Sequence, residues 1–145
     1  MNEYALNDPT LTFEEDVLLV NEAPCNGLVK EHFESGSKKS ITQYLDGRCH
    51  GIYKEWYENG KIAGACLFKS GVRHGECKTW WPNGQVKASC SYFEGKLHGN
   101  YEKWHENGLR KCVRQYIMGK EWGRQKEWTE EGEEVTNYCV SNSSR

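Results

Sequence analysis

Hydrophobic and polar positions along this chain repeat with a period of 24 residues. Trp56, Trp80, Trp104 and Trp128 keep that interval, as do the aromatic series Tyr44, Phe68, Tyr92 and Tyr116. Two glycine series share it, Gly51, Gly75, Gly99 and Gly123, and Gly60, Gly84, Gly108 and Gly132. Independent series with one period mark a repeat architecture, in which each unit buries its apolar positions against its neighbours. Within a unit, the stretches Gly51–Trp56 and Lys61–Phe68 flank Asn59-Gly60, the strongest local hairpin signal. The pattern therefore predicts two antiparallel strands per unit.

The third unit selects the turn. Pro82 precedes Asn83-Gly84, and a two-residue turn would demand a backbone N–H that proline lacks. A three-residue loop instead puts Pro82 at the second position of a type I turn and Gly84 in the left-handed bulge position. Continued along the strands, this loop sets Tyr57 opposite Lys61, Trp56 opposite Ile62, Lys54 opposite Gly64, Ile52 opposite Cys66 and His50 opposite Phe68. Cross-strand partners share a face. One face is then predicted to collect Trp56, Ile62, Gly64, Cys66 and Phe68, and next Trp80, Val86, Ala88, Cys90 and Tyr92. On that face the Phe/Tyr series would intercalate between tryptophans as a core stripe, and the small residues at 64 and 88 would make room for the lysine opposite. The outer face would display Tyr53, Glu55, Tyr57, Ala65 and Leu67, then Cys77, Thr79, Trp81 and Lys87, then Tyr101, Lys103, His105, Lys111 and Val113.

Units begin near residues 27, 51, 75, 99 and 123, giving a repeat domain over 27–140. The first unit is weaker, with His32-Phe33 and Ser35-Gly36 in place of the aromatic pair and the Asn-Gly, and in the last Glu131 replaces the turn asparagine. Residues 1–26 form an acidic segment in which a half-unit strand is expected near 17–20, and the capping-box spacing Thr12–Glu15 suggests a short helical turn. Residues 141–145 read as a tail. The recurring Gly-x-x-x-x-Trp, Asn-Gly, aromatic and x-x-His-Gly positions over about residues 27–138 resemble the MORN repeat, in the 24-residue variant form common in bacterial and large-virus proteins. The resemblance implies an all-β fold, an elongated single-layer antiparallel β-meander of MORN-type β-hairpins. It implies roles that range from scaffolding and protein contacts, including a structural part of a larger assembly such as a virion, to phospholipid binding and antitoxin-like inhibition.

Charge excludes little by its total, since 19 basic residues face 21 acidic ones for a formal net charge of −2. Its distribution says more. Residues 1–26 hold six acids and no Lys or Arg, so the remainder carries 19 − 15 = +4 with acids interleaved, unlike the clustered basic footprint of a nucleic-acid binder. No apolar run spans a bilayer, and Val17–Val20 is too short for a signal-peptide core. An intracellular, reducing compartment is the resulting expectation. The seven cysteines are odd in number and lack any C-x-x-C pair, so they read as small core-filling thiols rather than a disulfide framework or a zinc site.

His50, His74 and His98 recur at one repeat position, but about 10 Å apart, too far to share one metal ion. The glycines are assigned to repeat turns rather than to a phosphate-cradling loop, and no nucleophile–base signature stands out. The residues left over are too few for a catalytic domain. Hence no enzyme, no metal and no cofactor are expected. Tyr53, Tyr57, Trp81, Tyr101 and His105 make an outer aromatic patch that the stack does not require, and these five are the expected protein-binding residues. Peripheral binding to anionic phospholipid through Lys61, Lys69, Arg73, Lys87 and Lys96 is the alternative, although Glu58, Glu76, Glu94 and Glu106 interrupt that set.

Overall fold

A computed structural model describes residues 1–141, and the expected tail lies almost wholly outside them. Four short strands come first: β1 (Glu3–Ala5), β2 (Leu11–Glu14), β3 (Val17–Val20) and β4 (Ala23–Pro24). The repeats supply β5 (Gly27–His32), β6 (Lys38–Leu45), β7 (Arg48–Trp56), β8 (Ile62–Lys69), β9 (Val72–Trp80), β10 (Val86–Phe93), β11 (Lys96–Trp104) and β12 (Arg110–Ile117). The two-residue β13 (Lys120–Glu121), then β14 (Gly123–Trp128) and β15 (Glu134–Val140), complete the chain. Strands β5 to β12, β14 and β15 form one meander in sequence order, with β1 added at its first edge and β13 beside β12. All neighbours in this sheet are antiparallel except β1, which lies parallel to β5. The fold is an all-β single-layer meander, and each two-strand unit advances it by about 10 Å.

Two kinds of turn alternate along it. At one end, Glu58-Asn59-Gly60 forms the three-residue loop: the Gly60 N–H donates to Tyr57 O at 2.9 Å and the Tyr57 N–H to Lys61 O at 2.8 Å. At the other end, Asp46-Gly47, Ser70-Gly71, Glu94-Gly95 and Met118-Gly119 all have positive φ at both residues, the signature of two-residue type I′ turns whose twist suits a hairpin. The Asn-Gly loops are thus the longer turns.

Beyond the three-residue loop the register departs from the sequence expectation. Trp56 opposes Ile62, but Glu55 opposes Gly64 and Tyr53 opposes Cys66, so Ala63 is an extra residue. The same β-bulge recurs at Lys39, Lys87, Lys111 and Val135. One inserted residue exchanges the faces of everything after it. Phe68 therefore meets Tyr53 edge-on at 6.3 Å, and Tyr116 meets Tyr101 at 6.0 Å. The expected stripe of alternating Trp and Phe/Tyr does not exist. Instead a tryptophan face carries Trp56, Trp80, Trp104 and Trp128 with Ile62, Ala65 and Leu67. A tyrosine face carries Tyr53, Glu55, Gly64, Cys66 and Phe68. Ala65, Leu67 and Val113 fall on the tryptophan face rather than the outer one. The residue opposite Gly64 is Glu55, not Lys54, and an added Cβ would come within 2.7 Å of the Glu55 Oε1.

A second irregularity sits inside the long strands. Thr42 opposes Tyr53 whereas Tyr44 opposes Cys49, so β7 carries two extra residues around Gly51. Gly51, Gly75 and Gly99 have φ of 95°, 102° and 99°. These glycines are strand bulges and not turn residues. Because two residues are inserted, the alternation of faces survives them.

The deepest core lies at the N-terminal end and not along the tryptophans, each of which is half-exposed. Leu18, Cys25 and Val29 are buried together, packed by Tyr4, Leu11, Val20 and Tyr44. The segment Thr12–Glu15 contributes strand β2 rather than a helical turn, and Val17–Val20 belongs to a separate three-stranded sheet, β2-β3-β4, instead of closing a half unit. Ion pairs Lys30–Glu3 at 2.6 Å and Arg48–Asp16 at 2.7 Å fasten this acidic segment to the repeats. The cysteine expectation is also corrected. Cys66 and Cys77 form a disulfide across β8 and β9, while Cys25, Cys49, Cys90, Cys112 and Cys139 are free. Their spacing of 11 residues carries no framework signal; only the bulged register sets them opposite one another.

Candidate interaction surface

Three ladders of side chains run along the ends of the hairpins and tie each unit to the next. In the first, the Tyr57 hydroxyl donates to Trp80 O at 2.6 Å, Trp81 Nε1 to Trp104 O at 3.2 Å, and His105 Nε2 to Trp128 O at 2.9 Å. In the second, the amides of Asn59, Asn83 and Asn107 donate to the carbonyls of Pro82, Glu106 and Glu130 at 3.2, 2.9 and 2.8 Å. The same asparagines close their own turns by accepting the N–H two residues on, as Asx side chains do. In the third, at the opposite end, the Nδ1 atoms of His50, His74 and His98 each accept a backbone N–H, from Ser70, Glu94 and Met118, at 3.2 Å. Asn26 takes the same position one unit earlier and accepts the Asp46 N–H at 3.0 Å. An asparagine that substitutes for the imidazole identifies the series as turn acceptors. Among the described residues no group of three or more His, Cys, Asp or Glu is placed to hold a metal ion.

The five expected binding residues share one face, but they divide into two kinds. Tyr57, Trp81 and His105 are the donors of the first ladder, and Lys87 Nζ sits 4.6 Å from the Trp81 ring centre, covering it. Tyr53 and Tyr101 lie in the middle of the strands, away from the ladders. Around them the bulged register gathers residues that the sequence reading put on the far side. A depression of about 540 Å³ is lined by Tyr92, Tyr101, Lys103, Arg114 and Tyr116. A second, of about 480 Å³, is lined by Tyr44, Tyr53, Phe68 and Arg73. Phe68, Tyr92, Tyr116 and Arg114 were therefore missed as surface residues, and Arg73, expected as a lipid-facing cation, lies against the Tyr92 ring instead. No residue type marks the bulge that brings them there, since its extra residue is Ala63 in one unit, Val135 in another and lysine in three.

Electrostatics on this face is that of charged groups held by aromatic and carboxylate neighbours. Burial and the Glu55 carboxylate, to which its hydroxyl donates at 2.8 Å, push Tyr53 up to about 12. Arg114 donates to Glu127 and, at 3.0 Å, to Glu121; the Glu127 carboxylate raises its already high pKa further. Arg73 stacks 5.4 Å from the Tyr92 ring and donates to its hydroxyl at 3.3 Å. Hydrogen bonding to Tyr101 raises Lys103. These arrangements hold cations over rings. They do not assemble a nucleophile with a base.

Residues 50–70 and 73–94 match the family model described as MORN repeat variant. No curated protein matches the chain. Repeats of this family are generally associated with protein or membrane binding and are generally non-catalytic.

Proposed function

The chain is a MORN-repeat protein, and we propose that it is a non-catalytic scaffold whose tyrosine face holds a protein partner. The observation that carries this reading is the separation of labour just described. Tyr53, Tyr101 and their neighbours Phe68, Tyr92 and Tyr116 take no part in the three ladders, yet they form a row of rings flanked by Arg73 and Arg114. Tyrosine and arginine supply large contact area at small entropic cost and dominate the energetics of protein interfaces. The lipid alternative has less support. Lys61 Nζ donates to Asn83 O at 3.2 Å and Lys87 covers Trp81, so two of its five cations already serve the stack.

The test is a photo-crosslinking residue at position 53 in the native source. A discrete adduct that disappears with Tyr101→Ser, while circular dichroism shows the sheet still folded at the assay temperature, supports the scaffold reading. Adducts that persist unchanged with Tyr101→Ser count against it. So does sedimentation with anionic vesicles that Lys61→Glu and Lys87→Glu abolish and Tyr101→Ser leaves intact, which would transfer the role to a membrane surface.

A further inference from the structure

Cys66, Cys77 and Cys90 lie on three successive strands, β8, β9 and β10. Cys77 directly opposes Cys66 on one side and Cys90 on the other. All three point to the tyrosine face. The coincidence is confined to this place in the stack: one period away, position 77 is Tyr53 or Tyr101, and positions 66 and 90 become Thr42 and Arg114. Cys77 is bonded to Cys66 with a Cα separation of 4.2 Å, and Cys90 keeps a free thiol.

In an antiparallel sheet a central-strand residue makes a close pair with one neighbour and a wider, hydrogen-bonded pair, at about 5.5 Å between Cα atoms, with the other. The 4.2 Å separation marks Cys66–Cys77 as the close pair. Cys77 and Cys90 are then the wider pair, at a distance that disulfides commonly bridge. The central sulfur is thus flanked on one side by the sulfur it is bonded to and on the other by a free thiol. That is the alignment thiol–disulfide exchange uses.

We propose that Cys66, Cys77 and Cys90 form a three-thiol exchange site in which one crosslink migrates between neighbouring strand pairs. The Cys90 thiol loses its proton to solvent, and the thiolate attacks the Cys77 Sγ. The Sγ–Sγ bond to Cys66 breaks, and Cys66 leaves as a thiolate that takes up a proton. One disulfide and one thiol stand on each side of the equation, so no oxidant or reductant is consumed. Exchange moves the link from β8–β9, which joins two units, to β9–β10, which lies within one. Burial pushes the Cys90 thiol up, with the Tyr92 hydroxyl and Arg73 opposing, so the attacking thiolate is scarce and exchange runs over minutes to hours.

Trypsin separates the three cysteines, because Lys69, Arg73, Lys78 and Lys87 lie between them. The experiment incubates the full chain at pH 8 without reductant, quenches in acid with an alkylating agent, and maps the linked peptides. Wild type is expected to hold both the Cys66–Cys77 and Cys77–Cys90 links, the second at no less than about a tenth of the first, a ratio that a difference of 1.4 kcal/mol would produce. Given oxidised glutathione as the oxidant, Cys66→Ser should close only Cys77–Cys90, and Cys90→Ser should hold only Cys66–Cys77. Wild type that keeps Cys66–Cys77 alone after a day overturns the proposal whatever the variants do, as does wild type with all three thiols alkylated.

Discussion

Replacing Tyr57 with phenylalanine removes one hydroxyl and leaves the ring in place, so it isolates one rung of the ladder between units. That hydroxyl donates to Trp80 O at 2.6 Å in a half-buried setting. A net intramolecular hydrogen bond of this kind contributes about 0.5–1.5 kcal/mol, which in a domain of this size moves the melting temperature by about 2–4 °C per kcal/mol. Trp81→Phe should cost more, about 2 kcal/mol. It loses the indole donor to Trp104 O at 3.2 Å, part of the ring area, and some of the Lys87 contact, itself about 0.5–1 kcal/mol. Tyr57→Ser discards the half-buried ring as well, and should cost about 2–3 kcal/mol, roughly half of what a fully buried aromatic loses. Urea denaturation followed by tryptophan fluorescence reads all three. In a quasi-one-dimensional stack these changes weaken a nearest-neighbour interface, so the midpoint should fall while the slope stays constant unless the units uncouple. A residue reserved for a partner would behave as an ordinary surface position, within about 0.5 kcal/mol. A midpoint for Tyr57→Ser that matches wild type would refute the ladder and return residue 57 to the binding surface.

Three further outcomes follow from the same geometry. Trp80→Ala and Trp81→Ala should destabilise by similar amounts, about 2–4 kcal/mol each in chemical denaturation, because both rings are half-buried on opposite faces; a silent Trp81→Ala would contradict the assigned faces. Gly99→Ala should cost about 1–2 kcal/mol from backbone conformation alone, since φ is 99° and nothing lies within 4 Å of the added carbon, whereas Gly75→Ala should cost more because its Cβ meets Leu67 at 3.2 Å. Calorimetric melting that ranks them the other way would remove the need for the strand bulge. Hydrogen bonds and charge from Lys30 and Arg48 hold Glu3 and Asp16 below the usual carboxylate range. A depressed carboxylate stabilises above its unfolded pKa and loses that stability as pH falls through the folded one. Hydrogen exchange should therefore show residues 1–26 opening before the repeats below about pH 4, and Arg48→Ala should abolish the Asp16 share; loss of both regions together would argue against it.

The period, the two strands per unit and the three-residue loop were legible because each rests on a local rule. Pro82 has no N–H, and Gly84 takes the left-handed conformation at which the loop closes. The faces were not legible beyond residue 62. A bulge is decided by how the twisted ladder closes, and the residue it inserts is alanine in one unit, valine in another and lysine in three, none of which marks a bulge in the sequence. Tyr53, Tyr57, Trp81, Tyr101 and His105 still came out on one face because they precede the bulge, where simple alternation holds. Phe68, Tyr92 and Tyr116 follow it and were assigned to the wrong side. The disulfide was hidden for the same reason, since Cys66 and Cys77 are partners only in the bulged register. Likewise, strand β1 pairs with β5 through residues too few to carry any period of their own.

Comparison of the units within this one chain separates what holds the stack from what is free to vary. The stack-holding positions lie at the two ends of the hairpins, and they change little: Tyr57, Trp81 and His105 all donate, Asn59, Asn83 and Asn107 are identical, and Asn26, His50, His74 and His98 all accept. They change in the last described unit. Thr129 and Glu131 stand at its donor positions, Trp122 replaces the histidine, and Glu130, Glu131, Glu133 and Glu134 place charge around its hairpin loop. Mid-strand positions on the tyrosine face do the opposite. One series runs Thr42, Cys66, Cys90, Arg114 and Tyr138; another runs Tyr53, Cys77, Tyr101 and Gln125. A position that only filled a repeating core would repeat, because its surroundings do. The tryptophan face varies in mid-strand as well, through Ile52, Glu76, Asn100 and Arg124 and through Leu67, Ser91, Gln115 and Cys139, so the sheet is a frame kept constant at both ends with freely varied positions between, and that freedom is what allows three cysteines to coincide at a single place along it.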